Sequence, residues 1–361
     1  MRLDVDPDIR RARTLPGWVY TDPEAFALQR ERVFVSAWHW VADDSAVRAR
    51  GQVHPFTLQP GVLGEPLLLT RDQDDRVHCV SNVCTHRGTL VCEASGTVPA
   101  LRCRYHGRRF ALDGRFLSMP GFEGAEGFPS EADDLRAVAL ANWRSLLFAS
   151  LAPSHGLADV VGDMDSRCGF MPLERAVLLA QSSRDYEVRA NWALYCENYL
   201  EGFHIPFVHP ELARTLDQAG YRTELFARSS VQVGVASAGE DALDPPAGHA
   251  DHGQRIAAYY WWLWPCTLLN FYPWGLSLNV IEPLAVDRTR VRFLAYAWDQ
   301  SRLDRGAGAA LDHVERQDEA VVESVQRGVA SRLYGRGRYS PARETGVHHF
   351  HRLLAAHMNE G

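Results

Sequence analysis

The spacing of apolar and polar residues changes character several times along the chain. Asp22 to Trp40 reads as a helix, with Asp22 as N-cap and Pro23 in the first turn. Short β-rich runs follow at Gln52–Leu58, Pro66–Thr70, Val77–Val80 and Ser145–Ala149, separated by Gly, Pro and Asp turns. That is the pattern of a small antiparallel β domain. Pro153–Met171 reads as a linker or crossover. Beyond it, Val177–Val188 predicts a strand and Trp192–Phe203 a helix with no interior Pro or Gly before Gly202. Strand-like runs at Ser229–Ala236, Ala257–Leu269, Ser277–Pro283 and Thr289–Trp298 precede a charged helix, Gly308–Gly328, and an amphipathic one, Thr345–Met358. The expected fold is α+β in three parts. Residues 1–40 form a helical segment packed on the last domain, 41–152 a small antiparallel β domain, and 153–361 a domain with an antiparallel sheet flanked by helices.

Composition narrows the function classes. The 361 residues are 46% apolar and 23% charged, enough to bury a real core and unlike a disordered or coiled-coil chain. A net charge of −7 without a long basic run argues against nucleic acid and anionic membrane as partners. The 26 residues between Arg255 and Glu282 carry no charge, long enough to span a bilayer, but Pro265, Pro273 and Gly275 interrupt them. They read as buried strands around a turn. The N-terminal residues are charged from Arg2 onward, unlike a secretory signal, so a cytoplasmic protein is expected. Seven cysteines do not suggest a disulfide framework in a chain of this length.

Two of those cysteines belong to paired ligand sets, Cys84-Thr-His86 and Cys103-Arg-Tyr-His106, with 16 residues between the pairs. Thiolate and neutral imidazole bind iron or zinc, and Gly88 and Gly107 allow each pair a tight loop. A zinc finger groups two cysteines and then two histidines on a helix. Here each pair is mixed and sits in strand and loop, which suits a Rieske [2Fe–2S] cluster with two thiolates on one iron and two imidazoles on the other. Cys84-Thr-His86-Arg87-Gly88 and Cys103-Arg-Tyr105-His106-Gly107 resemble the Rieske domain of the ring-hydroxylating oxygenase family. Arg108 stands where that family usually has an aromatic residue, a departure that touches only the packing around the cluster. Thr89 and Tyr105 leave no cysteine pair for the disulfide clamp of respiratory Rieske proteins, so the resemblance is to the oxygenase type.

A Rieske cluster moves single electrons, so an enzyme needs a second redox site. In Glu197-Asn-Tyr-Leu-Glu201-Gly-Phe-His204-Ile-Pro-Phe-Val-His209, Pro206 is expected to end the preceding helix and let His209 turn back toward His204. Two imidazoles and a carboxylate with open faces make the facial triad of non-haem Fe(II) oxygenases. The resemblance implies Asp318 as the third ligand; by residue type Glu319 is its nearest competitor, and Glu315, Glu319 and Glu323 read as a solvated acidic helix face. It also implies that Glu201 bridges a mononuclear-iron histidine to a cluster histidine of a neighbouring subunit in a homotrimer. Most relatives use Asp there; Glu occurs in the branch acting on quaternary amines such as carnitine. Glu197, one turn earlier, is the structural alternative.

No strand–GxGxxG–helix segment is present, so electrons are expected from a separate NAD(P)H-dependent flavin or iron–sulfur reductase. The aromatic stretch from Tyr259 to Trp274 is expected to build the substrate pocket, with Trp262, Trp264 and Phe271 as lining. It suits a quaternary-ammonium cage, a flat-ring pocket or plain core packing. His348, His349, His351 and His357 read as surface or packing. The resemblance thus implies a terminal oxygenase with a [2Fe–2S] cluster and Fe(II), using O2 to hydroxylate or N-demethylate a small organic substrate, a quaternary amine first. The alternatives are an aromatic ring-hydroxylating dioxygenase alpha subunit, a non-catalytic Rieske electron-transfer protein, or a zinc-stabilised binding protein.

Overall fold

The computed structural model describes residues 2–303, 305–309 and 311–360. Two compact units divide the chain: Val35–Leu157, and Met1–Phe34 together with Ala158–Gly361. The architecture is α+β, with helices beside antiparallel sheets. Among the described residues no helix is long and apolar enough to cross a membrane.

The Val35–Leu157 unit is built from three small sheets. In one, His39–Asp43 pairs with Leu146–Ser150, which pairs with Ala139–Trp143. A second orders Val77–Ser81, Glu65–Arg71, Gln52–Leu58 and Gly96–Thr97 side by side. The third joins Leu101–Arg102, Arg109–Phe110 and Phe116–Ser118. Trp40 therefore belongs to a strand, not to the end of a helix from Asp22. Helical and π-helical backbone stops at Phe34, and Trp40 pairs with Phe148. The first division between units falls correspondingly earlier than residue 40, because cross-strand pairing outweighs local helical propensity.

In the larger unit the N-terminal segment supplies α1 (Trp18–Thr21) and α2 (Pro23–Gln29), the latter opened by Asp22 accepting from the Glu24 N–H. Gln29 is buried and accepts from the Trp192 indole at 2.8 Å. The expected linker contains instead a helix, α3 (Ala158–Cys168), which buries Val160, Val161 and Met164. Its apolar residues recur at helical spacing over only three turns, too short a run to stand out. Next come α4 (Trp192–Tyr199), α5 (Ile205–Val208), α6 (Pro210–Thr215), α7 (Leu311–Val329) and α8 (Thr345–Asn359).

One antiparallel sheet organises this unit, in the order Val177–Leu178, Arg288–Ala297, Gly275–Ala285, Thr267–Tyr272, Ile256–Leu263, Ser229–Val235 and Arg222–Leu225. Arg184–Val188 also pairs with Arg288–Ala297. The expected strand over Val177–Val188 is thus broken by a 3-10 turn at Ala180–Ser182, and Ala257–Leu269 folds back at Trp264–Cys266 into two strands. Tyr259, Trp261, Trp262, Leu268, Leu269 and Phe271 are fully buried. Each large side chain removed from water contributes roughly 1.5–3 kcal/mol, so the uncharged stretch is the core of the sheet.

Candidate metal centres

The first ligand set lies on two loops of the same construction. In one, the Cys84 N–H donates to the Thr89 carbonyl at 2.9 Å and the Gly88 N–H to the Cys84 carbonyl at 2.9 Å. In the other, the Cys103 N–H donates to the Arg108 carbonyl at 2.8 Å and the Gly107 N–H to the Cys103 carbonyl at 3.0 Å. Gly88 (φ +74°) and Gly107 (φ +77°) occupy the left-handed region that closes each loop. Both cysteines point into the core beside Leu101 and Phe110, and the His86 and His106 rings meet edge to face, centroids 4.8 Å apart. Burial raises the Cys84 thiol pKa above its ordinary value, and neighbouring Cys103 adds to this. Desolvation, with His106 and Arg108 close by, lowers the His86 imidazole, which favours its neutral, ligating form. Two buried sulfurs with two imidazoles facing outward fit the mixed donor set of a Rieske cluster.

Arg108 takes the place of an aromatic residue by behaving partly as one. It is 2% exposed, with its guanidinium 4.9 Å from the Phe116 ring centroid and 5.5 Å from that of Phe128. Its Nη2 donates to the Asp133 carboxylate at 2.6 Å and to the Asp133 main-chain carbonyl at 3.1 Å. Thr85, in the other ligand loop, donates its hydroxyl to that same carbonyl at 2.7 Å. One residue therefore ties the two loops together.

The second set is assembled by α4, α5 and α7. Helix α4 ends at Tyr199, so Pro206 does not terminate it as expected; Pro206 instead lies in the first turn of the one-turn helix α5. His209 then leaves helical geometry and faces back. His204, His209 and Asp318 offer ligand atoms that all lie within 4.8 Å of one another. Both imidazoles turn Nε2 toward Asp318 Oδ1, His209 at 2.9 Å and His204 at 3.4 Å. Their other nitrogens are taken: His204 Nδ1 by Glu201 Oε1 at 2.6 Å and His209 Nδ1 by Gln317 Oε1 at 2.7 Å. Orientation through the second nitrogen is how proteins aim histidine ligands at a metal. Two aimed Nε2 atoms and one carboxylate oxygen fit a facial triad.

Electrostatics agree with that geometry. Burial pulls the His204 pKa down, but hydrogen bonds to Asp318 and Glu201 outweigh it and raise it to about 9. Burial likewise pushes Asp318 up, yet the two imidazoles bring it down to about 2. A carboxylate ionised throughout the physiological range is thus held between two imidazoles whose protons it favours, the positive charge a bound cation would replace.

Other expectations need correction. Glu197 is engaged in a separate network, accepting from the Tyr20 hydroxyl at 2.7 Å and facing His351 Nε2 at 2.9 Å. His351 is fully buried, so this part of the α8 histidine group is packing. Glu315 is not solvated: it is 4% exposed, and its two oxygens receive the Tyr195 hydroxyl at 2.8 and 2.7 Å. Trp262, Trp264 and Phe271 do not line the cavity at the triad. Trp262 shares Tyr260's face of the sheet but lies further along its strand, under Phe350 of α8. Trp264 stacks on His357, and strand alternation turns Phe271 away from the face of Asn270 and Tyr272.

The cavity encloses about 750 Å³ including its open mouth, and its aromatic wall is Tyr195, Tyr199, Tyr221, Tyr260, Tyr272 and Phe293. Tyr260 and Tyr272 belong to the stretch expected to build the pocket; sequence reasoning missed Tyr195, Tyr199, Tyr221 and Phe293, together with Gln317 and Asn198, whose amide donates to Asp318 Oδ1 at 2.7 Å. Helical spacing was the available signal: Tyr195, Asn198 and Tyr199 share one face of α4, and Glu315 and Asp318 one face of α7.

Comparison with known proteins gives two family matches: the catalytic domain of the ring hydroxylating alpha subunit over residues 176–360, and the Rieske [2Fe–2S] domain over 37–129. The chain is 29% identical to a chloroplastic choline monooxygenase of Arabidopsis thaliana, over 97% of this chain and 85% of that protein. It is also 29% identical to the carnitine monooxygenase oxygenase subunit of Escherichia coli, over 96% and 94%. The crystal structure of a quaternary ammonium Rieske monooxygenase with its substrate L-carnitine superposes with a TM-score of 0.80 at 24% identity, covering 99% of this chain and all of that one. A Rhodococcus naphthalene 1,2-dioxygenase shares the fold with a TM-score of 0.72 at 19% identity, covering 95% and 93%.

Proposed function

This chain belongs to the ring-hydroxylating alpha subunit family, and from that premise we propose that it is a monooxygenase acting on a quaternary amine. It is the terminal oxygenase component of a Rieske-type oxygenase, an oxidoreductase that uses O2 and electrons delivered by a reductase. Its cofactors are a [2Fe–2S] cluster and mononuclear Fe(II). When bound, these groups supply single electrons and O2 activation, respectively.

In this reading Cys84, His86, Cys103 and His106 hold the cluster, and His204, His209 and Asp318 hold the iron. Glu201 accepts the Nδ1 proton of His204 and Gln317 that of His209, leaving both Nε2 lone pairs for the metal. Asn198 donates to Asp318 Oδ1 and keeps its carboxylate from swinging away. Glu201 also serves as the electron bridge to a cluster histidine of a neighbouring copy, so the working form is a homotrimer. The reductase is a separate NAD(P)H-dependent flavin or iron–sulfur protein, and the site of action is the cytoplasm.

The observation that carries the substrate assignment is the aromatic wall beside the triad, formed by five tyrosines and Phe293. Ring faces attract quaternary ammonium groups, and desolvated contacts of this kind are each worth about 2 kcal/mol. The choline and carnitine monooxygenase relatives support the same class. Reductase-coupled O2 uptake, measured across a panel of quaternary amines and aromatic acids, tests it. Turnover is expected with the amines; turnover confined to the aromatic acids would overturn the assignment.

A further inference from the structure

We propose that Glu315 is the counter-ion for the substrate's ammonium head, and that the cavity selects cations carrying no anionic group of their own. The inference deepens, and rests on, the quaternary-amine reading. Glu315 lies on α7 one turn before Asp318 and lines the same cavity as His204, His209 and Asp318. At 4% exposure it is far from water, and among the described residues its one hydrogen-bond donor is the Tyr195 hydroxyl. A phenol does not neutralise a carboxylate, and a buried charge without a counter-charge is costly.

No other group in the cavity can supply that counter-charge. Among the described residues no arginine lines it, and the chain contains no lysine. The cavity's other carboxylates have partners already. Glu201 is bonded to His204, and Asp318 faces both imidazoles and would face the metal. A metal dication offsets Asp318 and Glu201 and leaves the single charge of Glu315, which one monocation completes. Burial accordingly holds the Glu315 carboxyl well above its usual range, and Asp318 and Glu319 push the same way against the Tyr195 hydrogen bond.

The same inventory disfavours zwitterions. A substrate carboxylate in this cavity would meet Asn, Gln and Tyr side chains but, among the described residues, no arginine or lysine. A bound metal's charge is already offset by Asp318 and Glu201, while Glu315 repels the carboxylate. A neutral aromatic would fill the tyrosine wall but gain nothing from Glu315, whose carboxyl burial then keeps protonated.

Calorimetric titration of the iron-loaded enzyme with choline, its neutral carbon isostere 3,3-dimethyl-1-butanol and L-carnitine decides the matter. The wild type is expected to bind choline at least about tenfold tighter than the isostere, and carnitine more weakly than choline. Glu315→Gln, with iron content unchanged, is expected to lose most of that preference and keep only the part the aromatic wall supplies, while Glu315→Asp retains more of it. Retention of the full preference by Glu315→Gln overturns the counter-ion role. So does a wild type that binds choline and its isostere alike, a comparison that needs no variant. Carnitine binding as tight as choline overturns the selection against anionic groups. If the wild type binds no quaternary amine at all, the substrate class proposed above falls too; amine binding indifferent to Glu315 removes this inference alone.

Discussion

Glu201 and His204, three residues apart just past the end of α4, are joined by a 2.6 Å hydrogen bond between Oε1 and Nδ1. The other carboxylate oxygen accepts the His204 main-chain N–H at 3.1 Å and that of Phe203. Glu201 is thereby fixed at both oxygens, and the imidazole is fixed through Glu201. Gln317 does the same for His209 from α7. The two Nε2 atoms converge on Asp318 because each ring's rear nitrogen is anchored, on one side by the neighbouring loop and on the other by a distant helix.

His204→Ala is expected to keep the visible absorption of the cluster, whose ligands lie in the other unit, while losing the mononuclear iron. Removing one of three protein ligands leaves His209 and Asp318, too few to retain the metal through purification. Turnover should fall at least about a thousandfold. Iron and acid-labile sulfide analysis beside O2 uptake reads both effects, and retained turnover would remove His204 from the site.

Glu201→Gln preserves the size of the side chain and discharges it. Both iron centres should stay occupied, because the amide oxygen can still accept from His204 Nδ1. Electron transfer between them should slow by about 10- to 100-fold, the usual effect of disturbing a group behind a ligand. Single-turnover reduction kinetics of the iron-loaded protein measure it. An unchanged rate would assign the bridge elsewhere.

Much of this was legible in the sequence where the relevant residues are near neighbours. Each Cys–His pair carries its own loop-closing glycine, and His204 and His209 flank a single helical turn. Longer-range relations were not legible. Strand alternation places Trp262 on the cavity's face of the sheet, but only α8, some eighty residues on, determines that Phe350 covers it. Glu315 reads as one of several acids along a charged helix, and its burial depends on Tyr195 of α4. The helix from Asp22 ends early for a similar reason: His39–Asp43 finds its partner in Leu146–Ser150, over a hundred residues away.

Arg108 gives a prediction about the cluster's surroundings. Its ion pair with Asp133 is buried on the arginine side, and Thr85 of the other ligand loop shares the Asp133 carbonyl. Arg108→Ala leaves a cavity among Phe110, Phe116 and Phe128 and removes the tie to Asp133, whose carboxylate keeps its bonds from Ser130, which should cost about 2–4 kcal/mol. The variant should assemble the cluster and lose it faster, visible as accelerated bleaching in moderate urea. Bleaching at the wild-type rate would show that the loops hold without this tie.

Asp251 provides the pH-dependent case, away from either metal centre. It is 1% exposed and accepts from Arg167 at 2.7 Å, from the Tyr259 hydroxyl at 2.8 Å and from Arg222. Burial alone would raise its pKa, but Tyr259 and the two arginines hold it below the ordinary carboxylate value. A carboxyl depressed in the folded state stabilises fully above its unfolded pKa of about 3.9 and loses that contribution as pH falls through the lower folded value. Asp251→Asn should therefore be destabilised by about 2–4 kcal/mol at neutral pH, where Arg167 and Arg222 lose their buried anion and keep the more exposed Glu224. The gap in Tm between the two proteins should stay constant from pH 7 to 5 and narrow below about pH 4. Both proteins lose an acid-labile cluster alike, so the difference isolates Asp251. A gap as wide at pH 3 as at pH 7 would mean that the carboxylate's charge contributes nothing to holding the two arginines.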